Sequence, residues 1–118
     1  MVAKEREGAL TGYRVLDLTD SKGAYCAKLL ADLGADVIKI ESSENLDFMR
    51  TIAAEKNSSA RFNESNRNKR SIGVNLKTEK GREIVRKLIG MSDIVAENFR
   101  GGVVKSLGVD YDSVRQLN

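Results

Sequence analysis

Residues 14–41 read RVLDLTDSKGAYCAKLLADLGADVIKIE, and the class of fold is decided there. Arg14-Val15-Leu16-Asp17-Leu18-Thr19 is a short strand-forming run that ends in the turn-like Asp20-Ser21-Lys22-Gly23. Val37-Ile38-Lys39-Ile40-Glu41 alternates apolar and polar behind Gly34-Ala35-Asp36. Between them, residues 24–33 place Cys26, Leu29, Leu30 and Leu33 three and four apart, with Gly34 just past the end. That spacing predicts an amphipathic helix with a glycine stop, Cys26 serving as a small core residue. Strand, helix and strand in such close succession predict parallel pairing through a crossover.

The same pattern repeats outward. Residues 71–76 (SIGVNL) and 94–99 (IVAENF) read as two further strands. Residues 78–91 read as a helix capped by Thr78, with Ile84, Val85, Leu88 and Ile89 on one stripe. Short helices follow at residues 103–107, before Gly108, and at residues 112–117. The expected architecture is α/β, a Rossmann-like, mostly parallel sheet with flanking helices. Residues 1–11 are expected as an amino-terminal tail and 12–118 as the Rossmann-like portion of a single domain. Residues 42–70 form a long polar connection, with a helical turn or two at 46–53. A connection of that length crosses a sheet edge or covers a site.

Composition narrows the chemistry. Apolar residues make up 41% and charged residues 31% of the 118, an ordinary globular balance. There is no His, which removes the commonest general base and the commonest neutral metal ligand. The single Cys excludes an internal disulfide and any multi-cysteine zinc site, so no metal is expected. Residues 1–59 carry eight basic and ten acidic side chains, a net of −2. Residues 60–118 carry twelve and seven, a net of +5. A positive half suits phosphate groups, and a plain solvated surface is the alternative reading. The leading Met-Val-Ala-Lys-Glu-Arg-Glu lacks the apolar middle of a signal peptide, and no apolar run nears the roughly 20 residues of a membrane span. The expected location is cytoplasmic, with no membrane partner.

In an open parallel sheet, ligands sit outside the carboxyl ends of the strands. Here that rule selects residues 20–23, Ser42 onward, Lys77-Thr78 and residues 98–102. Lys22, Lys77 and Arg100 add positive charge beside helix starts, where peptide N–H groups favour anions. The Gly-x-Gly-x-x-Gly fingerprint and the Walker phosphate loop are both absent, so Glu41 alone is weak support for a ribose-binding acid. The run RFNESNRNKR at 61–70 has too few basic and stacking residues for a nucleic-acid surface. Arg67, Lys69 and Arg70 are instead expected to bond neighbouring carboxylates or backbone as they lead into the third strand.

Four segments also carry a resemblance. Residues 10–19 (LTGYRVLDLT) and 29–41 (LLADLGADVIKIE) resemble the opening of the class III CoA-transferases, the family of formyl-CoA transferase and the carnitine and bile-acid CoA-transferases. Asn66-Arg67-Asn68-Lys69-Arg70-Ser71-Ile72 is similar to their NxNKRSI signature, and residues 93–99 to their DxxxENF strand. The resemblance implies the amino-terminal, coenzyme A-binding portion of a longer acyl-CoA:carboxylate CoA-transferase, taking an acyl-CoA and a carboxylic acid as substrates. It implies CoA contacts at Ser21, Lys22, Val74, Lys77, Asn98 and Phe99. It also implies an Asp nucleophile beyond this chain, so that the chain alone is inactive, and a homodimer when full-length. Acyl-CoA racemases share the fold and are the nearest alternative; a non-catalytic binding module is the alternative of another class. Three positions depart from the family pattern. Ser42 and Ser106 stand where the family carries Arg, and Gly101 where it carries Pro.

Overall fold

The structure, a computed structural model, describes residues 7–52 and 59–118. Strand β1 (Arg14–Asp17) lies parallel to β2 (Asp36–Glu41), with Arg14 opposite Asp36 and Asp17 opposite Lys39. Helix α1 (Ala24–Asp32) joins them. Its end is a Schellman turn: the Ala35 N–H donates to Leu30 O at 3.1 Å and the Gly34 N–H to Ala31 O at 3.0 Å. Gly34 has φ of +101°, a conformation that costs glycine nothing. Of the expected tail, residues 1–6 lie outside the described residues. Leu10 is tied down, its N–H donating to Leu33 O at 2.9 Å.

The helix turns a different face inward from the one its leucines suggest. Ala24, Ala27, Lys28 and Ala31 are buried, whereas Cys26 is exposed and Leu29 and Leu33 are about half exposed. Cys26 is therefore not a core residue. Ala27, Ala31 and Ala35 pack on Val15 and Val37, and their small side chains let the helix lie close to the sheet. Lys28 is accommodated by an ion pair with Asp32 at 3.0 Å, its ammonium lying over the Tyr25 ring.

The connection after β2 is more ordered than its polarity suggests. Phe48–Thr51 forms a 3-10 turn capped by Asp47, and α2 (Ala60–Asn66) is capped by Ser59. The end of the expected turn, Ala53, lies outside the described residues. β3 (Lys69–Gly73) begins two residues before the expected strand and ends earlier, and it pairs parallel with β2. Asn68, just before it, has φ of +64°, which Asn tolerates better than most residues. α3 (Glu79–Ile89) starts at the expected cap, with Thr78 Oγ1 accepting from the Gly81 N–H at 3.0 Å. β4 (Ile94–Ala96) pairs parallel with β1, and Asp93 fixes its start by exchanging two hydrogen bonds with the Arg14 backbone. Two short helices, α4 (Val103–Leu107) and α5 (Tyr111–Arg115), complete the described chain.

The sheet order is β3-β2-β1-β4, parallel throughout. Side chains alternate between its faces. Leu16, Leu18, Ile38 and Ile40 face Val85 and Ile89 of α3 in the larger apolar core, while Ile84 is left partly exposed. Val15 and Val37 face α1, and further along the same face come Asp17, Lys39 and Glu41, all buried. A sheet face thus carries an apolar half and a charged half.

The charged half is closed by partners from the connection. The Lys69 ammonium donates to Asp17 Oδ2 at 2.7 Å, Ala24 O at 2.8 Å and Asn66 Oδ1 at 2.9 Å, which uses all three of its protons. Asp17 Oδ1 accepts from the Thr19 N–H and hydroxyl. Lys39 donates to Thr19 O and pairs with Asp47 at 3.3 Å. Glu41 receives both arms of the Arg50 guanidinium, at 2.9 and 2.6 Å, and the Ser71 hydroxyl. Arg50 also lies over the Phe62 ring, 3.8 Å from its centroid. Two further members of the basic run are engaged as well: Arg67 pairs with Asp32 and Arg70 with Asp36.

Replacing Lys69 by Met leaves Asp17 buried without its counter-charge, and we expect a cost of about 3–5 kcal/mol. Urea unfolding of K69M measures it; an unchanged midpoint would show that the pair is dispensable. Burial tends to raise the Glu41 carboxyl, but Arg50, the Asp47 N–H and Ser71 hold it below its ordinary 4.5. Its stabilisation is therefore present above that value and lost as pH falls through the folded one. Stability should decline below roughly pH 5, and less steeply in E41Q; parallel pH profiles for the two proteins would refute this assignment.

Candidate functional site

The chain leaves β1 toward β2 on one side and only later reaches β4 on the other. The loops after β1 and β4 therefore diverge, and a crevice opens between them at the carboxyl ends of the strands. It is a groove of about 760 Å³. Thr19, Asp20 and Ser21 come from the β1 loop, and Asn98, Phe99 and Arg100 from the end of β4. Val74 to Lys77 form a third side, and Asn45 to Phe48 of the connection form a fourth, with Val103 and Leu107 of α4.

The loops are locked together rather than merely adjacent. Asn98 Oδ1 accepts from the Asp20 N–H at 3.0 Å, and its Nδ2 donates to Asp20 Oδ1 at 2.6 Å. That amide, with the Lys22 N–H, holds the Asp20 carboxyl below its usual range. Gly23 permits the approach, since a Cβ there would stand 2.8 Å from Thr19 Cβ and 3.1 Å from Asn98 Cγ.

The acids of the groove are already engaged. Glu41 is taken by Arg50 and Ser71, Asp47 by Lys39, and Asp20 by Asn98. With both oxygens occupied, Glu41 is not the free carboxylate that a ribose-binding role requires. By contrast, neither Lys77 nor Arg100 makes an ion pair with any described residue, and both line the groove. The polar side of the groove therefore carries two cations with no carboxylate partner among the described residues, beside an Asp20 carboxylate bonded to neutral groups, and Leu46, Phe48, Val74 and Leu76 supply apolar surface. Among the described residues, no three His, Cys, Asp or Glu side chains gather as a metal site would require. No described helix is long and apolar enough to cross a membrane.

Five of the six residues singled out in the sequence meet in this groove: Ser21, Val74, Lys77, Asn98 and Phe99. Lys22 does not; it is exposed outside the wall, and its N–H is used by Asp20 Oδ1 at 2.8 Å. Ser42 lines the groove, but its hydroxyl accepts from the Glu44 and Asn45 N–H groups. Ser106 stands outside it and donates to Val103 O. The connection was expected to cross an edge or cover a site; which of its residues form the wall, 45–48, was not specified, although Asp47 two residues before Met49 is a capping signal, realised as a 2.9 Å bond.

Comparison with known proteins agrees with this fold. Residues 10–118 match the family model for CoA-transferase family III. The chain is 41% identical to an acyl-CoA transferase of Fusarium pseudograminearum, over 98% of this chain and 28% of that protein. It is 39% identical to a succinate–glutarate CoA-transferase of Agrobacterium fabrum, over 96% of this chain and 30% of that one. A solved structure of a CAIB/BAIF family protein from Brucella suis superimposes with a TM-score of 0.88 at 40% identity, covering 96% of this chain and 32% of the other. The chain thus spans less than a third of the length of these relatives. With nearly all of its residues inside the match, and the same sheet in the solved relative, the chain belongs to CoA-transferase family III.

Proposed function

We propose that this chain is the coenzyme-holding portion of an acyl-CoA:carboxylate CoA-transferase. The observation that carries the reading is the groove itself, in which Lys77 and Arg100 have no ion-pair partner among the described residues, at the switch point of a parallel sheet. Phosphates of a CoA suit those cations, and Ser21 and Asn98 supply further polar groups. Phe99 and Val74 offer apolar contact to the less polar parts of the ligand. The relatives' names, acyl-CoA transferase and succinate–glutarate CoA-transferase, support the same substrate class.

The covalent steps belong to an aspartate that lies outside residues 1–118 in this reading. Its carboxylate attacks the thioester carbonyl and expels CoA thiolate, leaving a mixed anhydride. The thiolate then attacks the aspartyl carbonyl, releases the first acid as its carboxylate and leaves an aspartyl-CoA thioester. The acceptor carboxylate repeats the two steps in reverse and leaves as the new acyl-CoA. What residues 14–118 contribute is position: a fixed groove holds the nucleotide end, so the thioester is presented in one geometry. The full-length enzyme acts as a homodimer in the cytoplasm.

Calorimetric titration with CoA tests the reading. Binding is expected, and K77A should weaken it by about 1.5–3 kcal/mol, the range for a hydrogen bond to a charged group. Absence of heat at millimolar CoA would refute the coenzyme assignment, and an unchanged affinity in K77A would leave Lys77 as ordinary surface.

A further inference from the structure

The wall formed by the connection has a feature that phosphate binding does not use. Phe48 is 70% exposed although the residues on both sides of it are anchored: Met49 is buried, and Asp47 pairs with Lys39 inside the fold. The 3-10 turn fixes the arrangement. Asp47 Oδ1 accepts from the Met49 N–H at 2.9 Å, Asp47 O accepts from the Arg50 N–H at 2.9 Å, and the Thr51 hydroxyl donates to Phe48 O at 2.7 Å. Arg50, clamped on Glu41, holds the far side of the turn.

A lone exposed apolar side chain is unremarkable on a protein surface. Phe48 differs because it lines the groove, with the partly exposed Leu46 two residues away, and Lys77 and Arg100, without ion-pair partners among the described residues, in the same cavity. An aromatic face on a fixed backbone turn, in the same groove as two cations, fits a flat ring joined to phosphates. Of the parts of CoA, only the nucleobase is flat and aromatic; the remaining arm is a flexible chain of amides. Ser42, at the mouth of the same segment, accepts from the Glu44 and Asn45 N–H groups in the local turn.

We propose that Phe48 packs face to face on the nucleobase of the bound coenzyme, and is a specificity-determining residue of this groove. The inference rests on the coenzyme reading above. Three ligands separate the parts: CoA, 3′-phosphoadenosine 5′-phosphate, which keeps the base and lacks the arm, and 4′-phosphopantetheine, which keeps the arm and lacks the base. In F48A, affinity for the first two should fall about fivefold to thirtyfold, the lower part of the range for base–aromatic stacking, while that for 4′-phosphopantetheine stays within about twofold. F48W should restore both losses. The ring is exposed, so the fold should survive, and 4′-phosphopantetheine binding controls for that. CoA binding that is indifferent to F48A, or equal losses for all three ligands, overturns this inference alone. Absence of CoA binding to the unaltered chain overturns the coenzyme reading and this inference with it.

Discussion

The contact between Lys69 and Asp17 holds the rest of the molecule in place. An ammonium placed among strands is tolerable only if every proton finds an acceptor. Here the three acceptors come from β1, the first residue of α1 and the last of α2. One side chain therefore fixes the positions of four elements relative to one another. It also fixes register: shifting β3 by one residue would send Lys69 to the opposite, apolar face. Hydrophobic burial would accept several neighbouring arrangements, but the buried charge accepts one.

From that pair the charged half of the sheet face extends outward through Lys39–Asp47 and Glu41–Arg50. These pairs do for the 42–52 segment what an apolar core does elsewhere. The segment has few apolar residues to bury, yet it lies against the strand ends because its Asp and Arg meet partners that the strand pattern had already turned inward. The wall of the groove is thus a product of electrostatics, whereas its floor, around Leu18, Ile40 and Val74, is a product of hydrophobic packing.

The division between what could and could not be read from the sequence follows the same line. Periodicity and end signals revealed the four strands, the Thr78 cap and the Gly34 stop, because each depends on residues within a few positions of one another. The strand-end rule then pointed to the groove with no knowledge of a family. The orientation of α1 was not legible: its leucines and its alanines both form stripes, and fit to the sheet, not hydropathy, chose the alanines. Helix α2 was missed because only Phe62 and Asn66 of its seven residues are buried. The basic run was expected to meet neighbouring carboxylates; Arg67 does reach Glu64 three residues back, but Asp32, Asp17 and Asp36 lie 34 to 52 residues away, beyond any local pattern. Asn98 lies in the groove at the strand end the rule selected, yet its bond to Asp20, which decides how much of its amide remains for a ligand, is a long-range fact.

That bond has a kinetic meaning. It joins groups 78 residues apart, between the first strand of the sheet and the last. Closing so large a loop costs entropy that only the finished sheet repays, so the two halves of the groove meet late in folding. β1, β2 and α1 can associate early through short connections, but they make only one bank. A ligand that needs both banks binds only to chains whose outer strand has docked, and mass action then draws the population toward that state. Occupancy of the groove is in this sense a proofreader of the topology: it rewards the chain that has threaded α3 across to β4 and gives nothing to one that has stopped short.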